Sequence, residues 1–188
     1  MITIRHNCIN DDLISLLKSL PKHSQPAATY TIKKGQSVDL EYRITNWITL
    51  PPDVVASASN ALRDFYNLEL KKNYKKTISN IEGPQFLEYL PGGKYEEHND
   101  AEEYTNGELH RVCPRDLTVL IYVNDDYEGG ELEFTKIGLK IKPLAKTLIA
   151  FPSYIEYSHK VHPVITGTRY SLVFWINTDE TIYPRPYV

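Results

Sequence analysis

LTVLIYVNDDYEGGELEF (117–134) and SHKVHPVITGTRYSLVFWIN (158–177) decide how this chain folds. Each carries a short run of β-branched and aromatic residues, broken by Gly, Pro, Asn or Asp clusters. Strand-like runs fall at 85–90, 117–123, 131–135, 137–141, 147–151, 155–162 and 168–177. Several short strands with turn signals between them predict a β-sandwich or barrel. Gly129 and Gly130 mark one of those turns, since glycine tolerates positive φ.

Before residue 85 the reading is mostly helical. Asn10 or Asp11 can cap a helix carrying Leu13, Leu16, Leu17 and Leu20, and Pro21 stops it. Weak alternation from Thr29 to Ile48 predicts one or two short strands. Pro51 and Pro52 then open a second helix, with Asp53 in its first turn and Val54, Ala58, Ala61, Leu62 and Phe65 on its apolar face, ending near Leu68. Both stripes are expected to pack on a sheet. Helices first and strands after make the class α+β, β-dominant. KKNYKK (71–76) reads as a solvated loop or edge, and YPRPYV (183–188) as an extended tail. A less favoured reading has Pro184 or Pro186 entering a neighbouring molecule's site.

Composition narrows the function classes. The 188 residues fit one domain, divided here as a support region 1–82, a core 83–178 and a tail 179–188. Charged residues at 24% argue against wholesale disorder, and the net charge of −3 does not suggest a strongly basic nucleic-acid binder. No apolar run approaches the ~20 residues of a membrane span, and MITIRHNCIN lacks the order of a signal peptide. Two cysteines, Cys8 and Cys113, exclude a disulfide framework, so a reducing, cytoplasmic home is expected.

Two of the six histidine contexts carry chemistry. In YEEHND, His98 and Asp100 stand one residue apart, and on an extended strand they would share a face and could chelate one ion. A distant second histidine would complete two imidazoles and one carboxylate, the set that leaves open positions on a non-haem Fe(II). His159 and His162 are three apart and point to opposite faces of a strand, so one of them can face inward. Arg169, Ser171, Val173 and Trp175 share a face. If that face lines a cavity, Arg169 needs an anion, from the protein or from a ligand. Taken alone, H-x-D is more often a solvated surface pair.

The chain from Gln85 to Asn177 resembles the 2-oxoglutarate and Fe(II)-dependent dioxygenases, in their prolyl 4-hydroxylase-like branch. The matching pieces are FLEYLPGGKYEEHND (86–100), RDLTVLIYVNDDYEGGELEF (115–134) and LIAFPSYIEYSHKVHPVITGTRYSLVFW (148–175). The resemblance implies a double-stranded β-helix, or jelly roll, with the N-terminal helices on its major sheet. It implies His98, Asp100 and His159 as iron ligands, His159 being preferred because Arg169 follows it by ten residues. It implies Arg169 and Tyr122 on the distal carboxylate of 2-oxoglutarate, with Tyr89, Thr118 and Leu120 lining that pocket. Tyr95, Arg115 and Trp175 fall on the substrate side. The implied reaction couples decarboxylation of 2-oxoglutarate to succinate and CO2 with hydroxylation of an unactivated C–H by O2, a peptidyl proline being the leading substrate. An ascorbate requirement stays open.

His162 is read as a surface or packing residue, His110 as solvated, and Cys113 as a plain thiol rather than a redox centre. AEEYTNGELHRVCPR (101–115) reads as a flexible loop beside the metal motif. The same chemistry on a free amino acid, another side chain or a metabolite is the second reading. A non-enzymatic jelly-roll binding module is the third. Nucleic-acid demethylation fits poorly, because Trp175 stands where that branch carries a second Arg.

Overall fold

The alternating strands find their partners in two antiparallel sheets. The computed structural model describes residues 1–20, 24–31, 35–66 and 77–178. The two large sheets are built from Thr3–Arg5 (β1), Ser24–Pro26 (β2), Arg43–Ile44 (β3), Asn46–Ile48 (β4), Ile78–Tyr89 (β5), Lys94–His98 (β6), Leu117–Tyr122 (β7), Leu132–Phe134 (β8), Leu139–Ile141 (β9), Leu148–Pro152 (β10), His159–Val161 (β11) and Arg169–Thr178 (β12). Among the described residues the major sheet runs β1-β10-β7-β12-β5-β4-β2 and the minor sheet β9-β8-β11-β6-β3. Sequence neighbours are interleaved with distant strands, as in a jelly roll. The KKNYKK cluster, Pro21 and the YPRPYV tail lie outside the described residues.

Period-two alternation sorts the major sheet into two faces. Leu117, Val119 and Ile121 of β7 join Tyr170, Leu172, Phe174 and Ile176 of β12 in one apolar cluster with the helices. Leu120 and Tyr122 join Leu87, Tyr89, Val173 and Trp175 in a second cluster. That cluster also takes Leu132, Phe134 and Val161 of the minor sheet, so it lies between the sheets. All of these side chains are at least nine-tenths buried, so the two faces make two cores rather than one core and a wet surface.

Helix α1 (Asp11–Ser19) is capped by Asn10, whose Oδ1 accepts the Leu13 N–H at 2.9 Å. Leu13 and Leu17 are buried, but Leu16 is 37% exposed, so the buried stripe is narrower than the sequence suggests. Helix α2 (Pro52–Phe65) starts with Pro at its first position and buries Val54, Ala58, Leu62 and Phe65.

Four expectations need correction. The stretch from Thr29 to Ile48, read as one or two short strands, holds four among its described residues: Thr29–Thr31, Gly35–Ser37, Arg43–Ile44 and Asn46–Ile48. The strand read at 85–90 begins at Ile78 and crosses the 82/83 division. The run at 155–162 is a 3-10 turn, Ile155–Tyr157, followed by β11. Residues 101–115 are not a plain loop, because Glu102–Thr105 pairs with Glu108–Arg111 as a hairpin. Its turn is Asn106-Gly107, both at positive φ, the conformation that a two-residue hairpin turn requires.

Candidate metal and cosubstrate site

Within the minor sheet β11 pairs with β6, and the register sets His159 directly opposite His98. Strand β6 ends at His98, so Asp100 is not on a strand as expected but in the bend that follows. The side chains still converge. His98 Nε2 lies 3.9 Å from Asp100 Oδ1, and His159 Nε2 lies 3.7 Å from Asp100 Oδ2. The three donor atoms all fall within 4.8 Å of one another. The side chains are 9%, 8% and 5% exposed for His98, Asp100 and His159.

Each donor is aimed by a second contact. His98 Nδ1 donates to the Glu96 carbonyl at 2.7 Å and His159 Nδ1 to the Tyr157 carbonyl at 3.0 Å, a tautomer that leaves both Nε2 lone pairs free. Thr118 Oγ1 donates to Asp100 Oδ2 at 2.6 Å and sits 2.9 Å from Ser153 Oγ. The Asp100 N–H donates to the Ser153 carbonyl at 3.1 Å, which pins the bend. The His98 ring stacks on Tyr95 at 3.5 Å, and Phe134 and Phe151 pack on His159.

Electrostatics prepare the same state. Burial, reinforced by His159, holds His98 down to about 3, so its imidazole is neutral near pH 7. Burial opposes ionisation of Asp100, but the two histidines and the Thr118 hydroxyl outweigh it and lower its pKa. Two imidazole nitrogens and one carboxylate on one side, facing a cavity, fit an Fe(II) ion with open positions.

Arg169 lies at the opposite end of a cavity of about 360 Å³ that also takes in the metal trio. It is 1% exposed. Its Nη2 donates to the Tyr122 hydroxyl at 3.1 Å and its Nη1 to Ser171 Oγ at 3.4 Å, while Nε has no partner. Among the described residues no carboxylate pairs with it. The guanidinium instead sits between the rings of Tyr89 and Tyr122, at 4.6 and 4.8 Å. Burial pushes the Tyr122 hydroxyl up to about 12, partly offset by Arg169, so it stays protonated. A buried cation with only neutral neighbours is costly unless an anion completes it. Gly130 suits this place, since it stands at φ +64° and a Cβ would lie 3.0 Å from both Arg169 Cδ and Tyr127 Cε2.

The remaining expectations divide. Ser171, Val173 and Trp175 line the cavity with Arg169, and Thr118, Leu120 and Tyr89 line it too. Thr118 faces Asp100 as well as the cavity, a second contact that the resemblance did not supply. Arg115 is engaged rather than free: its guanidinium forms a two-pronged pair with Glu82 and lies 3.8 Å over the Trp175 ring. His162 faces away and pairs with Glu133, and His110 is exposed. Two residues escaped the sequence reading. Arg43, 6% exposed, stacks over Tyr95 at 4.5 Å and lines the cavity. Tyr127, 5% exposed, carries a buried hydroxyl with no partner, near Arg169. The short strand holding Arg43 gave no period to read, and Tyr127 lies in a stretch that reads only as a turn.

A jelly roll with a His-Asp-His trio at one end of its cavity and a buried arginine at the other defines a non-haem iron oxygenase. The profile of the 2OG-Fe(II) oxygenase superfamily matches residues 84–177, and the chain belongs to that family. Its cofactors are Fe(II), 2-oxoglutarate and O2. Prolyl 3-hydroxylase 2 of Homo sapiens is 40% identical over 70 residues, covering 35% of this chain and 10% of that protein. Prolyl 4-hydroxylase subunit alpha-1 of Rattus norvegicus is 26% identical over 195 aligned positions, covering 96% of this chain and 35% of that protein. The chain therefore spans only a minor part of these curated relatives. A viral collagen prolyl hydroxylase from Paramecium Bursaria Chlorella virus-1, solved as its 2OG complex, has a TM-score of 0.68 at 23% identity, covering 93% of this chain and 94% of that one. That likeness supports the jelly-roll fold. Among the described residues no helix is long and apolar enough to cross a membrane.

Proposed function

We propose that this chain hydroxylates proline within a peptide or protein, at C4, with His98, Asp100 and His159 holding Fe(II) and Arg169 holding 2-oxoglutarate. The observation that carries the reading is the single cavity with the metal trio at one end and an anion-seeking Arg169 at the other. When bound, the iron and its keto-acid cosubstrate supply the oxidising chemistry, splitting O2 between succinate and the new hydroxyl with loss of CO2.

The side chains then have distinct tasks. Arg169 and the Tyr122 hydroxyl take the far carboxylate of the diacid in a charge-assisted clasp. Leu120 and Val173 supply apolar wall beside the carbon chain, which favours exclusion of water. Thr118 occupies one lone pair of Asp100 Oδ2 and so orients the carboxylate. Tyr95, stacked on His98, and Trp175, under Arg115, form the side on which a substrate C–H would lie.

Relatives named for proline hydroxylation support the substrate class. The local likeness to a prolyl 3-hydroxylase favours a second reading, attack at C3 of the same residue. Incubation with Fe(II), 2-oxoglutarate and proline-containing peptides tests both. The expected result is succinate together with a peptide heavier by one oxygen atom, and amino-acid analysis of the product separates 4- from 3-hydroxyproline. Hydroxylation of free amino acids with no peptide product would overturn the peptidyl reading.

A further inference from the structure

One buried hydroxyl is left over by the site described above. Tyr127 is 5% exposed, and its Oη makes no hydrogen bond of ordinary length and angle. The polar group it faces is the Arg169 guanidinium, whose Nε is also without a partner. A guanidinium can only donate, so nothing there takes the phenolic proton. The Tyr122 hydroxyl is in the same position. It accepts from Arg169 Nη2, and among the described residues no atom accepts its own proton. Burial raises the pKa of Tyr127, partly offset by Arg169, so its proton stays in place and is there to be donated.

The meeting of Tyr127 and Arg169 is built into the chain. Tyr127 lies in the connection between β7 and β8, three residues after Asn124. Asn124, 4% exposed, stitches that connection to the start of β12. Its Nδ2 donates to the Thr168 carbonyl at 2.7 Å and its Oδ1 accepts the Tyr170 N–H at 2.8 Å, one residue to either side of Arg169. Two glycines give the ring its space. Tyr127 and Arg169 both close on the bare Cα of Gly130, and a Cβ on Gly167 would lie 3.1 Å from Tyr127 Cβ. Lys142 holds the ring further. Its Nζ sits 3.6 Å from the ring centroid while donating to the Tyr127 carbonyl at 2.9 Å. A donor fixed in this way loses little freedom when a ligand arrives.

An unpaired guanidinium and two phenolic protons without acceptors are thus gathered at one end of the cavity. Buried donors call for an acceptor, and a carboxylate offers about four lone-pair sites on two oxygens. We propose that Tyr127 is a third arm of the clasp on the cosubstrate, its hydroxyl donating to the distal carboxylate of 2-oxoglutarate beside Arg169 and Tyr122. It is a specificity residue, separating a keto acid that ends in a carboxylate from one that ends in a methyl group. This rests on the assignment of Arg169 to the cosubstrate made above.

The test uses the full chain, loaded anaerobically with Fe(II), and isothermal titration calorimetry with two ligands. One is 2-oxoglutarate. The other is 2-oxopentanoate, the keto acid of the same chain length that ends in a methyl group. Tyr127→Phe is expected to weaken 2-oxoglutarate by about tenfold, as loss of a hydrogen bond to a charged group does, and to treat 2-oxopentanoate as the parent does. Without ligand the variant should melt no lower than the parent, because it loses a buried donor that had no acceptor. Parental affinity for 2-oxoglutarate, an equal loss for both keto acids, or a clearly lower melting temperature would overturn the proposal. The parent protein separates this failure from that of the Arg169 assignment. If the parent prefers 2-oxoglutarate and Tyr127→Phe keeps its full affinity, Arg169 stands and Tyr127 falls. If the parent binds both keto acids equally, the two fall together.

Discussion

The two ends of the cavity are built by different means. At the metal end the donors sit where regular structure stops: His98 at the last residue of β6, Asp100 in a bend and His159 at the first residue of β11. Their aim comes from hydrogen bonds to Glu96, Tyr157, Ser153 and Thr118. At the other end Arg169 begins a ten-residue central strand, and its aim comes from register against Tyr89 and from the neighbouring strand that carries Tyr122. A metal site off regular structure relies on hydrogen bonds that orient each donor. A flexible diacid needs a fixed cation, and a sheet fixes it.

Removing a ligand tests the metal end with the largest effect. His98→Ala or Asp100→Ala should abolish 2-oxoglutarate turnover and Fe(II) binding while far-UV circular dichroism stays that of the parent. Turnover at the parental rate in either variant would break the assignment.

Arg169→Met tests the other end. Cosubstrate affinity should fall by about a hundredfold or more, because a charge-assisted clasp is lost. The ligand-free variant should nevertheless melt no lower than the parent, since it loses a buried cation that lacks an anion. A clearly lower melting temperature would mean that Arg169 serves the sheet rather than a ligand.

The smaller effects separate the ends. Thr118→Val should weaken metal affinity by about 10- to 100-fold, as loss of a supporting hydrogen bond to a ligand commonly does. Its effect on 2-oxoglutarate affinity, read at saturating metal, should be minor. Tyr122→Phe should do the reverse, raising the KM for 2-oxoglutarate by about tenfold and leaving metal affinity unchanged. If both variants shifted both constants equally, the two ends would be one coupled unit.

Sequence legibility follows the same division. Period two sorted Thr118, Leu120 and Tyr122 from Val119 and Ile121, and Arg169, Ser171, Val173 and Trp175 from their neighbours, because an uninterrupted strand leaves its faces no freedom. The convergence of His98, Asp100 and His159 was suggested by motif resemblance, since local spacing alone does not bring strands β6 and β11 together. What was missed lies in irregular chain. Tyr127 follows a run of turn residues, and Arg43 sits on a two-residue strand. Glu102–Arg111 was read as a loop although Asn106-Gly107 signalled a hairpin. Arg115 looked available for substrate because its partner, Glu82, is 33 residues away.

The order of the major sheet has a consequence for how the molecule is made. The strand at its heart, Arg169–Thr178, lies between Leu117–Tyr122 and Ile78–Tyr89, yet of the described strands it is the last to leave the ribosome. Until it slots in, those two neighbours each expose an open edge, and long-range closure of this kind is slow. A nascent chain can thus carry all three iron donors before it has its anchoring guanidinium, and the major sheet cannot close until its central strand is available.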